Sequence, residues 1–358
     1  MQNSRKDEKY YNEQDKLNTI RMREVLDTLP RFCRQYFRGI EQRTSARTRL
    51  GYAYDLRIFF EFLKNNNPSL SKTPIPEFSL EILNKVSRED LEEYMEYLSL
   101  YEKDEKELSN TEQGKKRKMS ALRSLFTYFY KSELIERNTA ELVDMPKLHE
   151  HEIIRLEPNE VAILLDQVEA GEKLTKSQQK YHEKTRLRDL ALLTLLLGTG
   201  IRVSECVGID IDDIDYDNNG LSIHRKGGYN TTIYFPDEVR TALLDYYEQR
   251  KLIPACEGSE KAFFLSLQNK RITVRAVENL VKKYARNVTT LKKITPHKLR
   301  STFGTNLYRE SGDIYLVADV LGHKDVNTTR KHYAAQEDEN RRRAARMVKL
   351  RENKDNPD

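Results

Sequence analysis

Glycine and proline are scarce in this chain, and that scarcity is the strongest constraint on its fold. The 358 residues include 14 glycines and 10 prolines, against the roughly 12% that these two residues make up in an average protein. Because most tight turns depend on them, a chain this poor in both should be mostly helical. We therefore predict a mainly α-helical protein, with one small antiparallel β-sheet where the apolar pattern changes its period.

Size and composition exclude several classes of protein. A chain of 358 residues is longer than one hydrophobic core usually serves, which is roughly 250 residues, so two domains are expected. No apolar run approaches the ~20 residues of a membrane-spanning helix, and the N-terminus is too polar for a signal peptide. Three scattered cysteines cannot form a disulfide framework or a metal clamp. The sequence predicts a soluble cytoplasmic protein with no membrane partner.

A charged, proline-containing stretch without apolar periodicity divides the chain. Amphipathic helical patterns precede it, and a mixture of helical and strand patterns follows it. The predicted regions are a polar tail at 1–20, a helical domain at 21–145, a linker at 146–153, and a second domain at 154–358 that ends in a tail helix.

Periodicity locates most of the individual elements. In the first domain, helices are predicted at 20–37, 44–63, 87–98 and 115–132, and the charged, apolar-poor segment 101–114 is expected to be a linker between helices. In the second domain, three strands joined by two tight turns are predicted at 214–216, 221–225 and 231–235. Further helices are expected at 237–250, 273–288, 296–311 and 313–321, with short ones at 327–334 and 337–350.

Five short motifs of the second domain carry side chains that suit phosphoryl transfer without a metal or other cofactor. Guanidiniums can bind the non-bridging oxygens of a phosphodiester through two hydrogen bonds and stay charged at any working pH. Imidazoles can donate to these oxygens or move protons. A phenol can act as a covalent nucleophile, and a lysine on a mobile turn can protonate the departing oxygen. In chain order, the candidate catalytic residues are Arg202, Lys226, His297, Arg300, His323 and Tyr333.

The spacing of these residues is consistent with a common site. His297 and Arg300 are three residues apart and would share one face near a helix N-terminus opened by Pro296, which also favours an anion. Arg202 follows a Gly-Thr-Gly break at 198–200, where the backbone can approach a ligand closely.

Each of these residues also has a simpler interpretation when it is taken alone. Arg202 could be an ordinary ion-pair partner of Glu205, and His297 could be a helix cap. Lys226 could be a solvated turn residue, and Tyr333 is one of 20 tyrosines. What favours catalysis is the complete set in one order.

Several other polar residues have weaker claims to a function. His149 and His151 resemble a metal-binding pair but lack a nearby third ligand in the sequence, and His224 and Cys206 are expected to be structural. Basic clusters of the first domain are either solvated faces or faces that contact DNA phosphates. They are Arg43, Arg47, Arg49 and Arg57 in one helix region and Lys115, Lys116, Arg117, Lys118 and Arg123 in another.

The six positions and the motifs GxxxRxSE, TPHxLR, LGH and HY resemble the tyrosine recombinase family, which includes the phage integrases and the Xer proteins. By motif the resemblance covers about residues 155–335, and the helical first domain resembles the family's SAM-like core-binding domain. The resemblance implies a mixed α+β catalytic domain and catalytic roles for all six residues. Glu205 matches the acidic position that supports the first arginine, whereas Ser301 stands where members often have a histidine.

The resemblance further implies a site-specific DNA recombinase or integrase. Tyr333 would attack the scissile phosphate, form a 3′-phosphotyrosyl bond and free a 5′-hydroxyl, with no need of ATP or a metal. The implied partners are double-stranded DNA with specific recombination sites and other copies of the chain, in a tetramer that works through a Holliday junction. The tail helix at 337–350 would dock on a neighbouring protomer. An accessory recombinase or directionality factor is a further partner that the resemblance allows, and the implied location is the nucleoid in the cytoplasm.

Two alternatives stay open on the sequence alone. An enzyme like the type IB topoisomerases would use the same chemistry to relax supercoils without a specific site or synapsis. A non-catalytic relative would bind DNA only as an accessory factor. A missing catalytic residue would favour the second alternative, and all six are present.

Overall fold

The computed structural model of the protein describes residues 8–103, 105–147, 154–225, 228–323 and 325–326. The chain separates into two compact units, with the division between His151 and Glu152. Helices dominate both units, and each contains one small antiparallel sheet. The predicted fold class is therefore confirmed. No helix among the described residues is long and apolar enough to cross a membrane.

The N-terminal unit is a helical bundle around an aromatic core. Its elements are α1 (Glu8–Leu26), α2 (Cys33–Gly39), α3 (Ala46–Asn66), α4 (Ile82–Lys85), α5 (Arg88–Tyr97), β1 (Tyr101–Lys103), β2 (Lys106–Leu108) and α6 (Glu112–Lys131). Side-chain caps begin the predicted helices: Ser45 accepts a hydrogen bond from the backbone of Thr48, and Ser87 and Asp90 form a capping box. The fully buried rings of the core include Phe59, Phe60, Phe126 and Phe129.

Two segments of this unit differ from the sequence prediction. The helix expected at 20–37 is interrupted near Pro30, which has no N–H to donate, and α2 starts after it with the Cys33 N–H bonded to the Pro30 carbonyl at 2.9 Å. Helix α1 begins at Glu8, inside the polar segment 1–20, for which the sequence allows either a loose tail or a frayed helix.

The charged segment at 101–114, expected to be a linker, instead contains the hairpin of β1 and β2. Glu105 takes a left-handed conformation with φ of 59° in the turn. Tertiary contacts hold the hairpin: Lys103 donates to Glu61 of α3 at 2.6 Å, and Tyr101 is buried against Tyr97.

The C-terminal unit combines helices with a three-stranded sheet. Its elements are α7 (Pro158–Ala170), α8 (Lys176–Thr199), α9 (Val203–Gly208), β3 (Ile214–Asp215), β4 (Gly220–Arg225), β5 (Tyr229–Tyr234), α10 (Asp237–Lys251), α11 (Val274–Ala285), α12 (Pro296–Ser311) and α13 (Ile314–Leu321). The strands pair antiparallel in the order β3-β4-β5, with Leu221 opposite Ile233 and Arg225 opposite Tyr229. The three predicted strands are confirmed, and so is the turn between β3 and β4, whereas the turn between β4 and β5 contains residues outside the described ones.

Helix α8 packs against α7, α10 and α12, and its C-terminal half is apolar nearly all round. Gly198 allows close packing, because a Cβ there would lie 2.5 Å from Cγ2 of Val239 on α10. The helix ends at Gly200, whose φ of 63° is the left-handed conformation of a helix C-cap. Residues 201 and 202 then lead directly into α9.

Candidate active site

The C-terminal end of α13 brings three arginines together. The last carbonyls of a helix have no partners within it and carry partial negative charge, so they attract cationic donors. Three successive carbonyls at this end each accept from an arginine of a different element. Arg225 of β4 donates through Nη2 to Val320 at 2.7 Å, Arg300 of α12 donates through Nη2 to Leu321, and Arg202 donates through Nη2 to Gly322 at 3.2 Å.

Arg202 is held at the start of α9 by the buried carboxylate of Glu205. Its Nη1 donates to Oε1 of Glu205 at 2.8 Å, and its backbone N–H donates to Oε2 at 2.7 Å. Glu205 is 3% exposed, whereas the Arg202 side chain is 33% exposed. The ion pair with Glu205, which was the simpler interpretation of Arg202, is therefore present. It fixes the guanidinium while leaving part of it open to a ligand.

Arg300 is buried, and its guanidinium binds the Gly-Thr-Gly break at 198–200. Its Nη1 donates to the carbonyl of Gly200 at 2.6 Å. A Cβ at Gly200 would overlap the ring of Phe303 and lie 2.9 Å from Cδ2 of Leu321, so only glycine fits there. The break was expected to let the backbone approach a ligand. Among the described residues, the Arg300 guanidinium, the Phe303 ring and the Leu321 side chain lie against it.

The two candidate histidines each lie close in sequence to a member of this cluster, His297 to Arg300 and His323 to Gly322. His297 is exposed in the first turn of α12, after Pro296 at the helix start, and its carbonyl accepts from Oγ of Ser301 at 3.1 Å. His323 is half-buried and directly follows Gly322, the residue whose carbonyl Arg202 contacts, and its N–H donates to the carbonyl of Ala318 at 2.9 Å.

Lys226 and Tyr333 lie outside the described residues, and their catalytic roles stay predictions. The tail helix expected at 337–350 and the pair His149 and His151 also lie outside them. The residues that flank Lys226 are described: the N–H of Gly228 donates to the carbonyl of Arg225 at 3.1 Å, and Gly228 has a φ of 82°.

Arg225 is the residue of this cluster that sequence reasoning missed. It is 5% exposed. Successive side chains of a strand alternate between faces, so Leu221, Ile223 and Arg225 point to the same side of β4, and all three are buried. A charged residue at an inward-facing strand position is a signal that the sequence does contain.

Two residues expected to be structural are placed accordingly. The Nδ1 atom of His224 is 2.8 Å from Oδ1 of Asn230 on the neighbouring strand. Cys206 is fully buried, and that burial raises the pKa of its thiol well above the ordinary value.

The basic residues of the N-terminal unit divide into exposed and structural ones. Arg43 and Arg47 are exposed. Arg49 is buried and donates to the carbonyls of Glu41, at 2.9 Å, and Thr44. Lys118 and Arg123 are also engaged internally, with the Asn110 side chain at 2.7 Å and the Ala140 carbonyl at 3.1 Å respectively. Only part of each predicted basic cluster therefore faces solvent.

A buried carboxylate connects the two basic helices of this unit. Asp55 of α3 accepts from Arg117 of α6, and Nζ of Lys118 is 4.0 Å away. Asp55 is only 2% exposed. Burial raises the pKa of Asp55 to about 6, although the positive charges of Arg117 and Lys118 act to lower it.

Comparisons with known proteins give one consistent result. A model of the phage integrase family matches residues 155–340. The tyrosine recombinase XerC of Caldanaerobacter subterraneus subsp. tengcongensis is 34% identical over 305 residues, which cover 82% of this chain and 79% of the relative. The tyrosine recombinase XerS of Streptococcus agalactiae is 29% identical over 332 residues, covering 86% and 92%.

Two solved structures show the same fold. The XerH site-specific recombinase bound to palindromic difH substrate, in a post-cleavage complex, has a TM-score of 0.62 at 20% identity, with 85% of this chain and 81% of that one covered. The Tn1549 transposon integrase in complex with circular intermediate DNA has a TM-score of 0.62 at 22% identity, covering 88% and 99%.

Proposed function

Because the chain belongs to the phage integrase family of tyrosine recombinases, we propose that it is a site-specific DNA recombinase whose nucleophile is Tyr333. The phenol oxygen attacks the scissile phosphate, the bond from phosphorus to the 5′-oxygen breaks, and a 3′-phosphotyrosyl bond forms. Lys226 gives a proton to the departing oxygen, and the phenol proton passes to a histidine of the site or to water. A 5′-hydroxyl then reverses the step, so no ATP is consumed.

The observation that carries this proposal is the attachment of Arg202 and Arg300 to adjacent carbonyls of one helix end. A phosphodiester under attack gains negative charge on its non-bridging oxygens, and donors fixed in advance stabilise that charge most effectively. The shared helix end fixes the two guanidiniums relative to each other. Guanidiniums also suit these oxygens because they stay charged and can form two parallel hydrogen bonds.

The remaining candidates have supporting roles in this proposal. His297 and His323 donate to the non-bridging oxygens or carry protons, and Glu205 keeps Arg202 oriented. The positive charge comes from Arg202 and Arg300, so the proposed step uses no metal or other cofactor.

The proposed substrate is duplex DNA that carries specific recombination sites. Exposed cations of the N-terminal unit, such as Arg43 and Arg47, contact its phosphates and supply affinity that depends on salt. Recombination requires two DNA sites, so we propose a tetramer that performs two successive strand exchanges through a Holliday junction. An accessory recombinase or directionality factor would select the direction. The setting is the cytoplasm, at the nucleoid.

A suicide substrate tests the nucleophile. On DNA nicked near the scissile phosphate, the wild-type protein should accumulate a protease-sensitive covalent adduct, because the released fragment diffuses away. Tyr333→Phe loses a single oxygen, so it should bind this DNA with near-normal affinity and form no adduct. An adduct formed by Tyr333→Phe would instead assign the nucleophile to one of the other 19 tyrosines.

A further inference from the structure

The carbonyls at the end of α13 are interchangeable acceptors, because all of them are main-chain oxygens that the helix itself leaves without a partner. Guanidiniums occupy them in a fixed order: Arg225 on Val320, Arg300 on Leu321 and Arg202 on Gly322. If one of these arginines is removed, its carbonyl becomes an empty acceptor beside the next one. A neighbouring guanidinium then has a second arrangement open to it.

Arg202 is held less firmly at this helix end than Arg300. Arg300 is buried and also donates to the carbonyl of Gly200 at 2.6 Å. The Arg202 side chain is 33% exposed. Glu205 binds its Nη1, and within the described part of the chain the acceptor of its Nη2 is the Gly322 carbonyl, at 3.2 Å. A shift of the Gly322 peptide would therefore displace Arg202 in particular.

The Gly322 peptide packs against the guanidinium of Arg225. A Cβ built on Gly322 would overlap Nη1 of Arg225 and come within 2.5 Å of its Cζ. Arg225 belongs to β4, whereas Gly322 follows α13, so this contact joins the sheet to the helix end. Removing the guanidinium would open a space beside Gly322 and leave the Val320 carbonyl without this donor.

Packing alone does not explain an arginine at this position. The side chain is buried, and its Nε has no hydrogen-bond partner among the described residues. A buried donor without a partner is destabilising, and Leu221 and Ile223 fill the same face of β4 without that penalty. The guanidinium supplies what an apolar side chain could not, which is a donor for the Val320 carbonyl.

We infer that Arg225 is a positioning residue for Arg202. By occupying the Val320 carbonyl and packing on Gly322, it holds the Gly322 carbonyl where Nη2 of Arg202 meets it. Without Arg225, the Arg202 guanidinium is divided between several arrangements, and only a fraction of the molecules present it to the scissile phosphate. The inference rests on the proposed role of Arg202 in binding the non-bridging oxygens of that phosphate.

A neutral substrate separates this role from a merely structural one. When a methyl group replaces one non-bridging oxygen of the scissile phosphate, the group starts without its negative charge, so a guanidinium contributes less to cleavage. A hydrogen bond to a charged group changes an equilibrium by about 10–100-fold. Arg225→Met should therefore cleave the normal suicide substrate about 10–100-fold more slowly than wild type, and the methylphosphonate within about threefold of the wild-type rate on that substrate. Arg202→Ala should show the same pattern with a larger loss.

Arg250 offers a matched control in the same unit. It is 4% exposed and donates to three carbonyls, those of Ile253, Glu260 and Ala262. Arg250→Met therefore removes a buried, carbonyl-bound guanidinium without touching the end of α13. Any loss of rate in this variant should be equal on the two substrates.

Phenylglyoxal labelling gives a readout that does not depend on cleavage. The reagent condenses with guanidiniums that can leave their hydrogen bonds, and mass spectrometry of peptides identifies labelled Arg202. This residue should be labelled several-fold faster in Arg225→Met than in the wild-type protein, and at the wild-type rate in Arg250→Met. Unchanged labelling of Arg202 in a folded Arg225→Met variant would overturn the inference.

A double substitution tests whether Arg225 acts through Arg202. If it does, adding Arg225→Met to Arg202→Ala should cause no further loss of rate on the normal substrate. Multiplied losses would contradict the inference, as would an Arg225→Met variant that stays slow on the methylphosphonate while Arg202→Ala recovers. If Arg202→Ala does not recover either, Arg202 does not bind the phosphate as proposed. The labelling of Arg202 then decides by itself whether Arg225 positions this side chain.

A second variant covers the outcome in which Arg225→Met does not fold. Arg225→Lys retains a cation and a donor for the Val320 carbonyl but lacks the planar group that packs on Gly322. It should show a smaller loss of rate on the normal substrate and the same recovery on the methylphosphonate. The inference fails if Arg225→Lys is folded by its thermal transition and is equally slow, relative to wild type, on both substrates.

Discussion

Replacing Glu205 by glutamine should disable Arg202 while leaving the fold in place. The carboxylate accepts two hydrogen bonds, from the backbone N–H of Arg202 at 2.7 Å and from its Nη1 at 2.8 Å. Glutamine keeps one acceptor oxygen and places an NH2 group against the other donor. Because Glu205 is 3% exposed, water cannot easily replace the lost bond.

The size of the effect follows from the kind of bond that is lost. A hydrogen bond between charged groups contributes about 1.5–3 kcal/mol. If this bond holds the guanidinium in its productive orientation, its loss lowers the productive fraction, and hence the cleavage rate, by about 10–100-fold. Part of the Arg202 side chain is open to solvent, which places the expected value toward the lower end. Affinity for a DNA half-site should change little, since most of it comes from phosphate contacts elsewhere.

Single-turnover cleavage of the suicide substrate measures the rate, and a mobility-shift titration measures half-site binding. Glu160→Gln is a matched control: Glu160 also caps its own helix, accepting from the Glu157 N–H at 2.8 Å, and also pairs with a cation, Lys292. The reasoning would be refuted if Glu205→Gln cleaved at the wild-type rate, or if Glu160→Gln lost as much cleavage rate as Glu205→Gln. In either case Arg202 would not depend on this carboxylate.

Two further predictions concern the N-terminal unit. Because the folded state raises the pKa of Asp55 from 3.8 to about 6, it binds the proton more tightly than the unfolded state, and stability should fall by up to about 3 kcal/mol as the pH rises from 4 to 6.5. Urea unfolding followed by circular dichroism should show that the wild-type protein loses stability over this pH range relative to Asp55→Asn. A gain in stability relative to this variant would contradict the prediction. On α3, Arg47→Ala should weaken DNA binding and reduce its salt slope by about 1. The buried Arg49→Ala should lower the melting temperature and leave the slope unchanged, and a slope that changes equally in both variants would count against phosphate contact by this helix.

Elements with a clear apolar period could be predicted from the sequence, and those held by tertiary contacts could not. Helix α6 and strand β4 follow their periodicity closely. The hairpin of β1 and β2 was missed because most of its residues are charged and they show no alternation of apolar and polar side chains. Its stability comes from contacts with other elements, such as the bond from Lys103 to Glu61, which no local pattern reveals.

The candidate site divides in the same way. The order of the motifs predicted Arg202, Arg300 and the acidic partner Glu205 as site residues, because their residue types and spacing are visible in the sequence. The sequence did not identify what Arg202 and Arg300 bind, since backbone carbonyls exist at every position and leave no trace in the residue type. Arg225 was missed for a different reason: a strand was predicted at 221–225, but the sequence analysis did not ask which of its residues face inward.

The acceptors at the end of α13 also affect which substitutions the site tolerates. The three arginines are bound by main-chain oxygens, so replacing the side chain at Val320 or Leu321 leaves every acceptor in place. Substitutions along this helix can alter its packing without removing any of these hydrogen-bond acceptors. Gly322 is the exception, because any side chain there occupies the volume of Arg225. Mutational scanning of α13 should therefore find residues 320 and 321 permissive for other apolar side chains of similar size, whereas substitutions at 322 should be disfavoured, because they would strain the left-handed φ of 63° and displace Arg225.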